Sequence, residues 1–174
     1  AMEEYTQILI DCFAQEKDKE VRREMAVTLA KLNNEKSLAV TLSNLKNADA
    51  DIRHHACIGL AETKGHSVPV DILIELAKTD PEKRVRSTAI EAIVMSKDAG
   101  KALPFFKETI DDAIQKGGGP ETLFFTAISN VWKIRTKETV ALLSLYLDSK
   151  DSSVRYKSVL ALGKMGLKEA IPIL

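Results

Sequence analysis

The chain has 174 residues, of which 45% are hydrophobic but only 5% aromatic, and its 25 basic residues balance 25 acidic ones. That length allows one compact domain or a short repeat array, and the aliphatic bias suits small side chains packed between helices. Zero net charge argues against an electrostatic grip on nucleic acid or an anionic membrane, and no run approaches the roughly 18 apolar residues of a membrane span.

Taken in chain order, residues 3–16 read as a first helix with Tyr5, Ile8, Leu9 and Phe13 on one face. A second helix over 19–33 opens at Asp18-Lys19-Glu20-Val21-Arg22. Then come 36–46, with Leu38, Leu42 and Leu45, and 50–64, opened by Asp49-Ala50-Asp51-Ile52-Arg53. Residues 69–78 carry Val70, Leu73, Ile74 and Ala77. Residues 82–97 open at Glu82-Lys83-Arg84-Val85-Arg86, just after Pro81, whose missing N–H costs little at a helix start. Residues 101–116 carry Leu103, Phe106, Ile110 and Ile114. Helices over 121–135, 137–148 and 152–165 complete the series, the last opened by Asp151-Ser152-Ser153-Val154-Arg155. The connections Asn33-Asn34, Lys46-Asn47, Lys64-Gly65-His66-Ser67 and Thr79-Asp80 are short and polar. No period-two pattern predicts a strand. The segment 168–174 reads as the first half of one more helix, with Ile171, Ile173 and Leu174 apolar. A natural array ends in a polar cap, so 1–174 is expected to be one array within a longer protein.

Alternate helices share a motif: acid, two variable residues, a β-branched aliphatic, arginine. The anchors Val21, Ile52 and Val85 are 31 and 33 residues apart, and Val154 follows 69 later, about two periods. Leu123 takes the anchor place of the repeat in between. Four, five and eight residues past each anchor come Met25, Ala26 and Leu29, then Ala56, Cys57 and Leu60, then Ala89, Ile90 and Ile93. The fourth and fifth sets are Ala127, Ile128, Val131 and Ser158, Val159, Leu162. Offsets 0, 4, 5 and 8 form one buried stripe on a helix. The acid three places before the anchor can cap free N–H groups and meets the positive end of the helix dipole. Cys12 and Cys57 are expected to be reduced core thiols. The N-terminus lacks a basic region followed by an apolar stretch, which points to a soluble cytoplasmic protein.

The segment from Asp151 to Leu174 closely resembles the HEAT-like repeat of the phycobilin lyases, and the other motifs resemble it more loosely. The resemblance implies an all-α fold: a right-handed α-α superhelix, HEAT- or armadillo-like, of about five helix pairs plus the start of a sixth. It implies a structural ladder of Asp18, Asp49, Glu82 and Asp151 with Arg22, Arg53, Arg86 and Arg155. It also implies that the second helices line a concave face. Offsets 2, 6 and 10 should then point outward, because 0, 4, 5 and 8 are buried.

Outward offsets carry Arg23, His54, Phe125 and Tyr156, then Val27, Ile58, Glu91 and Leu160, with Trp132 one place off. Exposed apolar and aromatic residues on one face suggest a contact strip for another protein. The opposing expectation is that a tightly curved array buries them between neighbouring helices. Repeat four breaks the motif, with Pro120 in the acid's place and Phe124 in the arginine's. Its loop Gln115-Lys116-Gly117-Gly118-Gly119-Pro120 lacks the Gly-Lys-Ser/Thr of a phosphate loop and predicts a local bend or hinge.

No catalytic constellation emerges, so an enzyme is not expected. The repeat's di-iron hydroxylases carry His-Glu pairs at offsets 2 and 3, but here those offsets hold no such pair. His54 and His55 point about 100° apart on a helix and do not form one metal site. Asp111 and Asp112 likewise face different sides. No cofactor and no metal is expected. The expected function is a protein-binding scaffold or regulatory subunit whose partner is another protein. The competing class is a ligand-transfer or enzyme subunit, resembling a phycobilin lyase or a HEAT-like DNA glycosylase; Trp132, Lys133 and Arg135 faintly echo the latter's basic groove.

Overall fold

The computed structural model describes residues 2–116 and 123–166, apart from the side chain of Met2. The glycine-rich loop at Gly117–Pro120, with its predicted bend, and the helix start at 168–174 lie outside the described residues. So do the first two residues of the 121–135 helix. The chain is all-α, and its helices pair as a HEAT-like solenoid. The helices are α1 (Met2–Gln15), α2 (Lys19–Leu32), α3 (Glu35–Asn44), α4 (Ala50–Ala61), α5 (Val70–Thr79), α6 (Lys83–Met95), α7 (Leu103–Lys116), α8 (Leu123–Asn130), α9 (Lys137–Ser144) and α10 (Ser152–Met165). They fall into two compact units, Ala1–Asp98 and Ala99–Leu174.

In the first unit, α2 packs on α4 and α4 on α6, forming one layer, while α3 and α5 flank it. The predicted stripe drives this. Ala26, Leu29, Ile52, Ala56, Cys57, Leu60, Val85, Ala89, Ile90 and Ile93 are all buried. Each fully buried Leu or Ile contributes about 1.5–3 kcal/mol over the exposed state. Phe13 closes the first pair against Ala26, Leu29 and Ile52. Small residues bring the backbones close. At Gly59 an added Cβ would lie 2.4 Å from the Val27 carbonyl oxygen and 2.7 Å from the Ala30 Cβ.

Four stripe positions depart from expectation: Met25 and Leu123 are half-buried, and Val21 and Val159 are exposed, at 42% and 47%. For Val159 the reason is positional: among the described residues, α10 packs chiefly on α8, the turn after it, and α9. The cysteines split as well. Cys57 is buried and its thiol is pushed up to about 12 by burial. Cys12, expected in the core, is exposed because it lies on the solvent side of α1.

The loops are built by polar residues. Asn33 ends α2 in the left-handed conformation, φ 47°, and its side chain accepts from the Ser67 amide at 3.0 Å, which ties two loops together. Asn34 then caps α3 reciprocally with Ser37. Gly65, at φ +76°, lets its amide reach the Met95 carbonyl at 2.6 Å, and the Lys97 amide donates to the His66 carbonyl at 3.2 Å.

His66 fills the space behind this seam and is fully buried. Its Nε2 lies 2.8 Å from the Ala92 carbonyl, so Nε2 carries the proton and Nδ1, which has no partner, does not. Charging the ring would put a second N–H into apolar surroundings, and burial accordingly lowers the His66 pKa from its ordinary value. The unfolded chain binds that proton near 6.5 while the fold resists it. Stability from neutral His66 is therefore present above about pH 6.5 and lost as the pH falls toward the folded value. The melting temperature should drop between about pH 7 and pH 5, and His66→Gln should flatten the drop. His54, lowered by burial and by His55 and Arg84, acts in the same direction, so His54→Gln separates the two. A pH profile identical in His66→Gln and the parent would contradict this assignment.

In the second unit, α7 packs on α8 and α9, and α10 packs on α8 and α9. Phe106, Ile110, Ile128, Val131, Leu143 and Leu162 form its buried interior. The helix expected over 121–135 ends early. After Asn130 the chain tightens into a 3-10 turn, Val131–Lys133, while Trp132 Nε1 donates to the Ser129 carbonyl at 2.9 Å. The neighbouring acids behave as different faces of one helix: Asp111 accepts from Tyr146 Oη at 2.9 Å, and Asp112 pairs with Lys116 at 2.6 Å.

Candidate functional site

The repeat acids sit at helix starts. Asp18 accepts from the amides of Glu20 and Val21, Asp49 from that of Asp51, and Asp151 from those of Ser153 and Val154. Glu82 has the N-cap place of α6 but makes no side-chain cap. Asp80 takes over and accepts from the Glu82 amide at 2.9 Å.

The repeat arginines fold back on the carbonyls that precede their own helix. Arg22 donates to Phe13 and Glu16, Arg86 to Asp80 and Pro81, and Arg155 to Ser149 and Lys150. Arg53 does this with Asn47 and Ala48 and also reaches the next repeat, where Nε and Nη2 meet the Asp80 carboxylate at 2.7 and 3.0 Å. The ladder as expected therefore needs correction here: the rung from Arg53 ends on Asp80, not on Glu82. The extra methylene of Glu82 unsuits it to a tight cap, and the shorter Asp80 lies where both the amide and the guanidinium converge. Burial alone would raise the Asp80 carboxyl, but Arg53 and the Glu82 amide override it and hold it below the usual carboxylate range. A second charge link joins three helices through Asp51, which accepts from Arg23 of α2 and Arg84 of α6. Those two arginines pull the Asp51 carboxyl down. Neither Asp51 nor Asp80 stands out by motif; both follow from which helix starts lie side by side.

The outward residues behave differently in the two units. In the first, the face is closed on itself. Arg23 is held by Asp51 and Glu20, Lys31 pairs with Glu62, and His54 Nδ1 lies 3.2 Å from Thr88 Oγ1. Val27 is buried against α4, contrary to its expected exposure, because Gly59 draws the two backbones together. Ile58 and Glu91 are half-buried. His54 and His55 meet edge to face, centroids 5.5 Å apart, and His55 Nδ1 donates to the Asp51 carbonyl at 2.7 Å.

In the second unit, the outward residues of α10 remain open. Tyr156 is 65% exposed and Leu160 39% exposed, with Phe125 and Trp132 half-buried beside them. A shallow concavity of about 460 Å³ is lined by Phe125, Ser152, Ser153, Tyr156 and Lys157. A smaller one adjoins it between Trp132, Leu160 and Lys164. Lys157 Nζ lies 5.0 Å from the Phe125 ring centroid, and Lys164 Nζ lies 5.7 Å from that of Trp132.

No helix among the described residues is long and apolar enough to cross a membrane. No curated protein matches the chain. The PBS lyase HEAT-like repeat matches residues 154–174. HEAT repeats match residues 6–94 and again 38–115, and the chain belongs to the HEAT-repeat family.

Proposed function

We propose that this chain is a protein-binding scaffold or regulatory subunit that holds a partner protein against the second-helix face of its second unit. HEAT repeats generally mediate contacts between proteins. The observation that carries the reading is exposed Tyr156 and Leu160 beside half-buried Phe125 and Trp132, one aromatic and aliphatic strip. A solvated helix face carries charge at such positions. Rigid aromatics with a neighbouring leucine supply contact area at low entropic cost. The first unit supports a structural part, because its outward cations and acids neutralise one another across helices.

The test is co-purification from a native lysate with Leu160→Asp and Phe125→Asp, against Ile58→Asp on the other unit. Leu160→Asp should release a partner by at least about 2 kcal/mol of binding, a roughly 30-fold loss. Partners retained equally by Leu160→Asp, Phe125→Asp and the parent would sink the reading.

A further inference from the structure

We infer that the groove between α8 and α10 receives an acidic helix of the partner, apolar on the face it presents; this rests on the scaffold reading above. The apolar lining of the groove is Ile128, Trp132, Leu160 and Ala161, with Tyr156 and Phe125 at one end. Along α10, Tyr156, Leu160 and Lys164 recur every four residues, so one continuous stripe of about 12 Å faces the groove. That length fits two to three turns of a docking helix with anchors at i, i+3 or i+4, and i+7.

Charge decides the partner's chemistry. Lys157 and Lys164 stand seven residues apart, two turns, at the groove. Each ammonium rests on an aromatic ring, and among the described residues neither is paired with a carboxylate. Lys31, Lys107 and Lys116, by contrast, are neutralised by Glu62, Asp111 and Asp112. The rings hold the two ammonium groups in place without neutralising them, so an incoming carboxylate meets a positioned charge rather than a floppy one. Water displaced by the docked helix would strengthen that attraction. A phosphate backbone needs several aligned cations, and the groove lining holds two, with a leucine between them.

The probe is a fluorescein-labelled helical peptide of about 15 residues, with leucine at the spacing above and glutamate elsewhere. It is compared with its lysine-for-glutamate counterpart and with a single-stranded DNA oligonucleotide, by anisotropy on the full chain at about 0.05 and 0.3 M salt. The glutamate peptide should bind at least about tenfold tighter than the lysine peptide, weaken with salt, and lose that preference in a Lys157→Glu/Lys164→Glu variant that keeps its circular dichroism. Equal binding of the two peptides, no binding of either, an unchanged preference in the double variant, or tighter binding of the oligonucleotide overturns the inference. The scaffold reading is tested separately. A natural partner released by Leu160→Asp but not by the double lysine variant leaves the scaffold standing and removes the acidic helix.

Discussion

Replacing Arg53 by alanine is expected to cost about 3–5 kcal/mol of folding stability, read as a lower urea midpoint at unchanged slope. The Arg53 and Asp80 side chains are 11% and 2% exposed, and two hydrogen bonds join them. Removing the guanidinium leaves a buried carboxylate with one hydrogen bond, from the Glu82 amide, and the charge of Arg86, and it also strips the carbonyls of Asn47 and Ala48 of a donor. Most of the loss is this stranded charge rather than the net worth of the pair, so Arg53→Ala/Asp80→Asn should be less damaged than the sum of the single changes. The pair also has a pH signature. Because Asp80 is held below 3.8 in the fold, its contribution is present above about pH 3.8 and lost as pH falls through the folded value. In Arg53→Ala the folded Asp80 value rises, so the acid-side loss that comes from Asp80 should shrink or reverse. Additive single and double variants would show that the two residues do not act as one link.

Gly59→Ala is expected to destabilise the first unit by about 1–3 kcal/mol, although alanine is the better helix former by roughly 1 kcal/mol. The new methyl group would lie 2.4 Å from a backbone oxygen of α2, which cannot swing aside as a side chain does. The helices must separate, and contacts of Val27 and Ala30 loosen with them. Gly163 provides the control. It lies inside α10 with nothing within 4 Å of an added Cβ, so Gly163→Ala should stabilise by up to about 1 kcal/mol. Calorimetry on both variants checks the pair of signs; a Gly59→Ala melting temperature at or above the parent's would rule out the close approach.

The period of about 33 residues was legible because every pair must bury the same stripe against its neighbours, and that need repeats Leu29, Leu60, Ile93, Val131 and Leu162 at one offset. Helix starts were legible for a local reason, since Asp18, Asp49 and Asp151 cap amides two or three residues away. Glu82 misled because a carboxylate one methylene longer carries the same charge but not the same reach. Asp80 and Asp51 were hidden because their partners lie 27 and 28 residues away, a separation that depends on how helices stack.

Sequence alone thus determined the all-α repeat, its register and its apolar stripe, all consequences of local periodicity and capping. Tertiary structure decided which outward residues remain open. Val27 and Leu160 hold the same repeat position and look alike as letters. One disappears beneath a backbone drawn in by Gly59; the other faces a groove whose lysines rest on aromatic rings. The difference lies in the distance between neighbouring helices, which no single helix encodes.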